Sequence, residues 1–291
     1  MSFPFVLLGE YVLFSLPVLW SHIIMGLLWL GFWFILPRYL EEIEVMPERT
    51  AYPFFVGLLM TLALPSVSYF TGETLALIAF ICAFASFMRL NNERLVLLYA
   101  FNSAMLLSIA TLFDTRYWLL FFILVVGIFV YRLFKVRIIL VSLFGVALFL
   151  YIVASLSFLQ DVSLPAWHHL WQVPFYDFQH KVPISLEIVL PLGVFTLFAL
   201  MSYAFHVTRV ESYKLHVRLN YTYILSSTII YAVWLALFLP SSHQLLGGWL
   251  IYLSILISWF FTTNSRKYAK WLLLVFAILC VGMRLSSGFI Q

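Results

Sequence analysis

The chain has 291 residues, of which 64% are hydrophobic and only 10% charged, against the roughly 25% charged composition of soluble domains. Its mean hydropathy of +1.05 excludes water as the main solvent. The formal net charge of +4 is not a nucleic-acid signature, because the basic residues sit between apolar segments, where they set topology.

Apolar runs recur along the whole length, and a hydrocarbon core about 30 Å thick takes about 20 helical residues to cross. Barrel strands are shorter and alternate in polarity, so the expected fold is all-α, a polytopic bundle of transmembrane helices. Residues 1–20 hold no lysine or arginine, so no cleavable signal peptide is expected. Residues 1–15, with Glu10, read as an interfacial lead-in or the remnant of a span. Ten spans follow, at about 16–36, 51–70, 74–88, 95–113, 117–134, 138–159, 184–206, 221–239, 246–262 and 271–289. The connections are mostly short, so sequential helices are antiparallel neighbours and one membrane domain, 1–291, is expected.

Basic residues resist translocation, and their placement orients the bundle. Thirteen of the sixteen lysines and arginines fall in alternate connections, the first of them holding Arg38 and Arg49 and the last Arg266, Lys267 and Lys270. Only Arg116, Lys181 and Arg284 lie on the other side. Both termini are therefore expected outside, and the aromatic loop 160–183 faces the periplasm if the membrane is a bacterial inner membrane. A five-plus-five inverted repeat is permitted by ten spans, with Pro65 and Pro191 on equivalent helices, but the two prolines lie at unequal depths.

The loop concentrates the candidate chemistry. Ser163 and Pro165 form a helix start, and 166–172 then reads as a short surface helix with Trp167 and Trp171 on one face. That face is either an aromatic anchor at the headgroup level or a platform for a sugar ring or a lipid-linked headgroup. His168 and His169 are adjacent, which splays them on a helix, and no HExxH-like spacing is present, so no metal is expected. His180, between Asp177 and Lys181 in the neighbouring sequence, is either a general base or a solvated imidazole. Glu187, about one turn into the seventh span, is the sharpest single residue: a carboxylate inside a membrane helix is costly, although a helix N-terminus favours it. Arg284 lies about 20 Å across the last span, where it either snorkels outward, binds a phosphate, or pairs with Glu187, Asp114, Asp161 or Glu73. Glu10, Glu73, Asp114, Asp161, Asp177 and Glu187 all collect on the outer side, whereas the inner acids mostly neighbour basic residues in solvated loops. Asn102, well inside the fourth span, reads as an interhelical hydrogen bonder.

Phe101-Asn102-Ser103-Ala104, Ile109-Ala110-Thr111-Leu112-Phe113, the aromatic-rich stretch 117–132 and the basic turn 132–137 resemble an uncharacterised family of polytopic inner-membrane proteins of Bacteroidota. The resemblance extends to Pro174-Phe175-Tyr176-Asp177-Phe178 and to Lys270-Trp271. It implies no established reaction; members of that family tend to sit near genes for polyprenyl-phosphate sugar metabolism. Members often carry an Asp where this chain has Asn102 and an aromatic where it has Asp114, which argues against an ionisable role at either position. They also carry an additional apolar segment at the N-terminus.

No P-loop, GxGxxG, GxSxG or kinase signature is present, which disfavours ATP hydrolysis and calls for no cofactor. The expected role is in cell-envelope assembly, handling a lipid-linked or glycoconjugate substrate at the periplasmic face. As an enzyme, such a protein would use Glu187 or Asp177 as base, Arg284 or Lys181 to hold phosphate, His180 nearby, and Trp167 with Trp171 as platform. The alternatives are a transporter or flippase, disfavoured by thin polarity near the bilayer centre, and a non-catalytic scaffold binding other envelope proteins. The partners expected are the lipid bilayer and a polyprenyl-linked substrate, with no nucleic acid.

Overall fold

In a computed structural model, the described residues are 18–46, 50–64, 72–91, 94–159, 186–208, 213–238, 245–264 and 267–287. They form ten α-helices: α1 (Val18–Glu42), α2 (Tyr52–Ala63), α3 (Gly72–Met88), α4 (Val96–Phe113), α5 (Phe121–Val130), α6 (Val136–Leu159), α7 (Leu186–Val207), α8 (Leu215–Phe238), α9 (Leu246–Thr263) and α10 (Lys267–Ser287). Short 3-10 helices cover Arg89–Asn91 and Thr115–Leu120. Seven of the ten helices, α1, α4 and α6 to α10, are long and apolar enough to cross a membrane. The chain is therefore a multi-pass helical membrane protein.

Of the three shorter helices, α3 matches its expected span at 74–88 to within two residues, whereas α2 and α5 depart from theirs for local reasons. Helix α2 stops at Ala63 with Leu64 extended (φ −115°, ψ 90°), because Pro65 disfavours helical geometry in the residue before it. Pro65 thus follows α2 in the chain instead of lying two-thirds along a longer helix. The run expected at 117–134 divides into the 3-10 segment and the ten-residue α5. The 3-10 form rises more steeply than the α form, so the pair still reaches about 27 Å.

Two helices end on a left-handed residue that is not glycine. After α1, Glu44 (φ 54°) lets the Val45 amide donate to Leu40 O at 3.0 Å; after α5, Arg132 (φ 56°) lets Leu133 donate to Ile128 O at 2.9 Å. These six-to-one bonds satisfy carbonyls that a bare helix end leaves open, and they offset the strain of a left-handed side-chain-bearing residue.

The chain divides into two compact units, each assembled from separated stretches. The first comprises Met1–Pro17, Phe70–Lys181 and Ile229–Leu245; the second comprises Val18–Tyr69, Val182–Thr228 and Leu246–Gln291. In the first, α4 lies between α3 and α6. The approach of α6 is close at Gly145, where a Cβ would meet Phe101 O at 2.8 Å. In the second, α9 packs against α2, α7 and α10 and is buried along nearly its whole length. Helix α2 also packs against α1, where the backbone at Gly57 lies under the Trp33 ring and Trp33 Nε1 donates to Thr61 Oγ1 at 2.8 Å.

Candidate functional site

Helix α4 ends at Phe113, and the next residue faces two ways. Asp114 is extended (φ −147°, ψ 106°), closing α4 through its amide to Ala110 O at 3.0 Å. Its side chain caps the following 3-10 turn by accepting from Arg116 N at 3.0 Å. The same oxygen, Oδ1, accepts from Arg116 Nε at 2.8 Å. Arg116 then reaches across to α3, where its Nη2 donates to Glu73 Oε1 at 2.7 Å. One guanidinium thus holds two carboxylates. The Asp114 and Arg116 side chains are 3% and 8% exposed, whereas that of Glu73 is 34% exposed, so the cluster runs from a sealed inner end to an open outer one.

Aromatic rings enclose the sealed end. Tyr117 packs edge-on against Trp234 with ring centroids 5.2 Å apart, and Phe80 lies against both Tyr117 and Tyr231 at 5.7 and 5.5 Å. Trp234 Nε1 donates to Arg116 O at 2.8 Å, and Tyr231 Oη donates to Leu245 O at 2.8 Å. Indole and phenol groups suit this place because each brings a large apolar body and one donor that buried carbonyls take up. Asp114 itself is buried, so a charge on it is felt at a low local dielectric. Burial is the largest influence on the carboxyl and pushes it above the usual carboxylate range; the Arg116 charge and hydrogen bonds pull it down, and Glu73 pushes it up again. Asp114 Oδ2 is buried and has no hydrogen-bond partner among the described residues.

The second unit holds a different polar centre. His206, in the last turn of α7, stacks on Tyr221 with centroids 3.4 Å apart and lies parallel to Tyr213 at 5.6 Å. Trp259 of α9 meets it edge-on at 5.5 Å. His206 Nδ1 and Trp259 Nε1 are buried without a hydrogen-bond partner among the described residues. Ser202, one turn earlier, donates to Leu256 O across the helix interface. On the entry side of α8, Asn220 Nδ2 donates to Ile43 O at 2.9 Å, tying that helix start to the turn after α1.

Glu187 is the second residue of α7, and its side chain is outside the described residues, as are Trp167, Trp171, Asp177, His180 and Lys181 altogether. The short helix read at 166–172 falls there too. Arg284 lies on the exposed side of α10 near its end. Glu73 and Asp114, which the sequence offers as partners for Arg284, are instead ion-paired to Arg116. Arg116 itself figures in the sequence only as one of three basic residues on the sparse side. The signal was Asp-x-Arg straddling a helix end, with a glutamate opening a neighbouring helix. Among the described residues, no three His, Cys, Asp or Glu side chains converge on a point where a metal ion could sit. Compared with known proteins, the chain matches no family model, no curated protein and no solved structure.

Proposed function

We propose that this chain crosses a bacterial inner membrane ten times with both termini outside, and that it serves cell-envelope assembly by handling a lipid-linked or glycoconjugate substrate at the periplasmic face. The observation that carries this reading is the Glu73–Arg116–Asp114 cluster. Ionisable groups at membrane helix ends are expensive to bury and are kept where they act on something. By the count of basic residues, Glu73 opens a helix on the outer side, and Asp114 and Arg116 follow one that ends there. Ionic contact among these three supports that alternation, because it needs the start of α3 and the end of α4 on one side. The part-exposed Glu73 carboxylate suits sugar hydroxyls, which donate to it, and the guanidinium behind it suits a phosphate oxygen.

Within the reading, Glu187 or Asp177 supplies the base, Arg284 or Lys181 holds the phosphate, His180 assists, and Trp167 and Trp171 form the platform. The resemblance to Bacteroidota inner-membrane proteins associated with polyprenyl-phosphate sugars supports this substrate class. The test is chromosomal replacement in the source bacterium by Glu73→Gln, Glu187→Gln and Arg284→Ala, with membrane levels checked by immunoblot. Altered lipid-linked precursor pools or envelope glycans are expected in at least the Glu73 variant. Normal levels of all three variants with unchanged precursors and glycans would sink the reading.

A further inference from the structure

Two carboxylates on one guanidinium leave a surplus negative charge, and the geometry says where it rests. Glu73 is a third exposed and can share its charge with solvent or headgroups; Asp114 is 3% exposed and cannot. Both donors that reach Asp114, the Arg116 amide and Nε, go to Oδ1, and Oδ2 has none among the described residues. A buried carboxylate oxygen without a hydrogen-bond partner among the described residues, with the phenols of Tyr117 and Tyr231 nearby, is among the most costly atoms to keep charged in a membrane protein. Among the described residues, no lysine or second arginine lies within the cluster: the charged groups that act on Asp114 are Arg116 on its own turn and Glu73 from α3, with the phenols of Tyr117 and Tyr231 beside them. Burial moves the carboxyl in the same direction as this geometry.

We propose that Asp114 is a proton-binding site: its carboxyl carries a proton on Oδ2 at neutral pH, while Oδ1 keeps its two bonds to Arg116 and the guanidinium keeps its charge pair with Glu73. Protonating Oδ2 leaves Oδ1 bonding intact and brings the cluster to neutrality, so the ligand is a proton and the pair Glu73–Arg116 sets its affinity. The proton comes from the side of the membrane that Glu73 faces, through the only carboxylate of the three-residue cluster with an exposed edge. The inference concerns the same cluster that carries the envelope role proposed above but does not require that role, and its spectroscopic test does not read envelope glycans.

The test is infrared spectroscopy of the full chain in lipid nanodiscs, with and without carboxyl-labelled aspartate, titrated from acid to alkaline pH. A protonated carboxylic C=O band that shifts with the aspartate label is expected at neutral pH, and its loss is expected in Asp114→Asn, an isosteric change that keeps the cap. Glu73→Gln removes the competing carboxylate and leaves Asp114 matched one-to-one with Arg116, so the labelled band should vanish at a lower pH than in the parent. Stability follows the same sign. The folded chain holds this proton more tightly than the unfolded one, so Asp114's contribution is present in full at acid pH and is lost as pH rises through its raised value. Absence of a labelled band at neutral pH, its persistence in Asp114→Asn, or a midpoint unmoved by Glu73→Gln would each overturn the proposal. So would a midpoint that differs between sodium and choline salts at equal ionic strength, which assigns the oxygen to a metal cation instead.

Discussion

Around Asp114 the first unit holds a buried guanidinium against two carboxyl groups; around His206 the second unit buries a ring and answers it with rings. The ionic cluster draws on two separate stretches of chain, with Glu73 and Arg116 43 residues apart in sequence. The hydroxyls of α9 need nothing so distant: Ser254 donates to Ile251 O at 2.8 Å, and Thr262 to Ser258 O at 2.8 Å. A serine or threonine in a membrane helix can fold back on its own turn, so its polarity is settled locally. A charge cannot, because the helix offers no counter-ion of its own. The first unit is therefore specified by who pairs with whom, and the second by what fits against what.

The largest expected effect breaks the pairing. Arg116→Leu removes the side-chain donor to Asp114 Oδ1 and the counter-ion of Glu73, and loss of one partner from a buried ion pair costs about 3–5 kcal/mol. Detergent-solubilised variant followed by thermal size-exclusion should show a clear fall in folded protein. Pairing the change with Asp114→Leu removes the buried polar group left without its Arg116 side-chain partner, and much of the loss should return. If the double variant is as unstable as the single one, the damage lies in packing and the contrast between the units fails.

A smaller effect tests fit in the second unit. Gly57 lies so close under Trp33 that a Cβ there would overlap the ring, so Gly57→Ala must displace the indole and endanger its bond to Thr61. Overpacking of this kind costs about 1–3 kcal/mol. Combining it with Trp33→Leu should cost less than the two single changes added together, since the substitutions share one space. Strict additivity would mean that the ring had already moved aside.

How much of this was legible in the sequence differs between the units for the same reason. Apolar length located all ten helices, because each is a local property of its own residues. Where helices stop was harder to read. Leu64 ends α2 because of Pro65, a visible signal that apolar length outweighed, whereas Glu44 and Arg132 stop α1 and α5 without the glycine that marks such turns. The fit of Gly57 under Trp33 joins residues on different helices and leaves no local trace. The ionic cluster was half visible: Asp114 and Arg116 sit two apart at a helix end, and the basic-residue count assigned both, with Glu73, to one side. The expectation that an aromatic stands in place of Asp114 in a resembling family pointed away from an ionisable role there.

The smallest expected effect separates fit from hidden chemistry in the second unit. His206→Phe keeps a flat ring between Tyr213 and Tyr221 and an edge for Trp259, while removing the buried Nδ1 that has no partner among the described residues. An unmet polar atom in a buried place is itself a cost of about 1–3 kcal/mol, so its removal should balance any loss of fit and leave unfolding within about 1 kcal/mol of the parent. Intrinsic tryptophan fluorescence would report the Trp259 environment at the same time. A loss well beyond about 2 kcal/mol would mean that Nδ1 is bonded to something in the folded protein. His206 would then join Asp114 as a polar centre with a ligand, and the division between a unit held by charge and a unit held by shape would no longer stand.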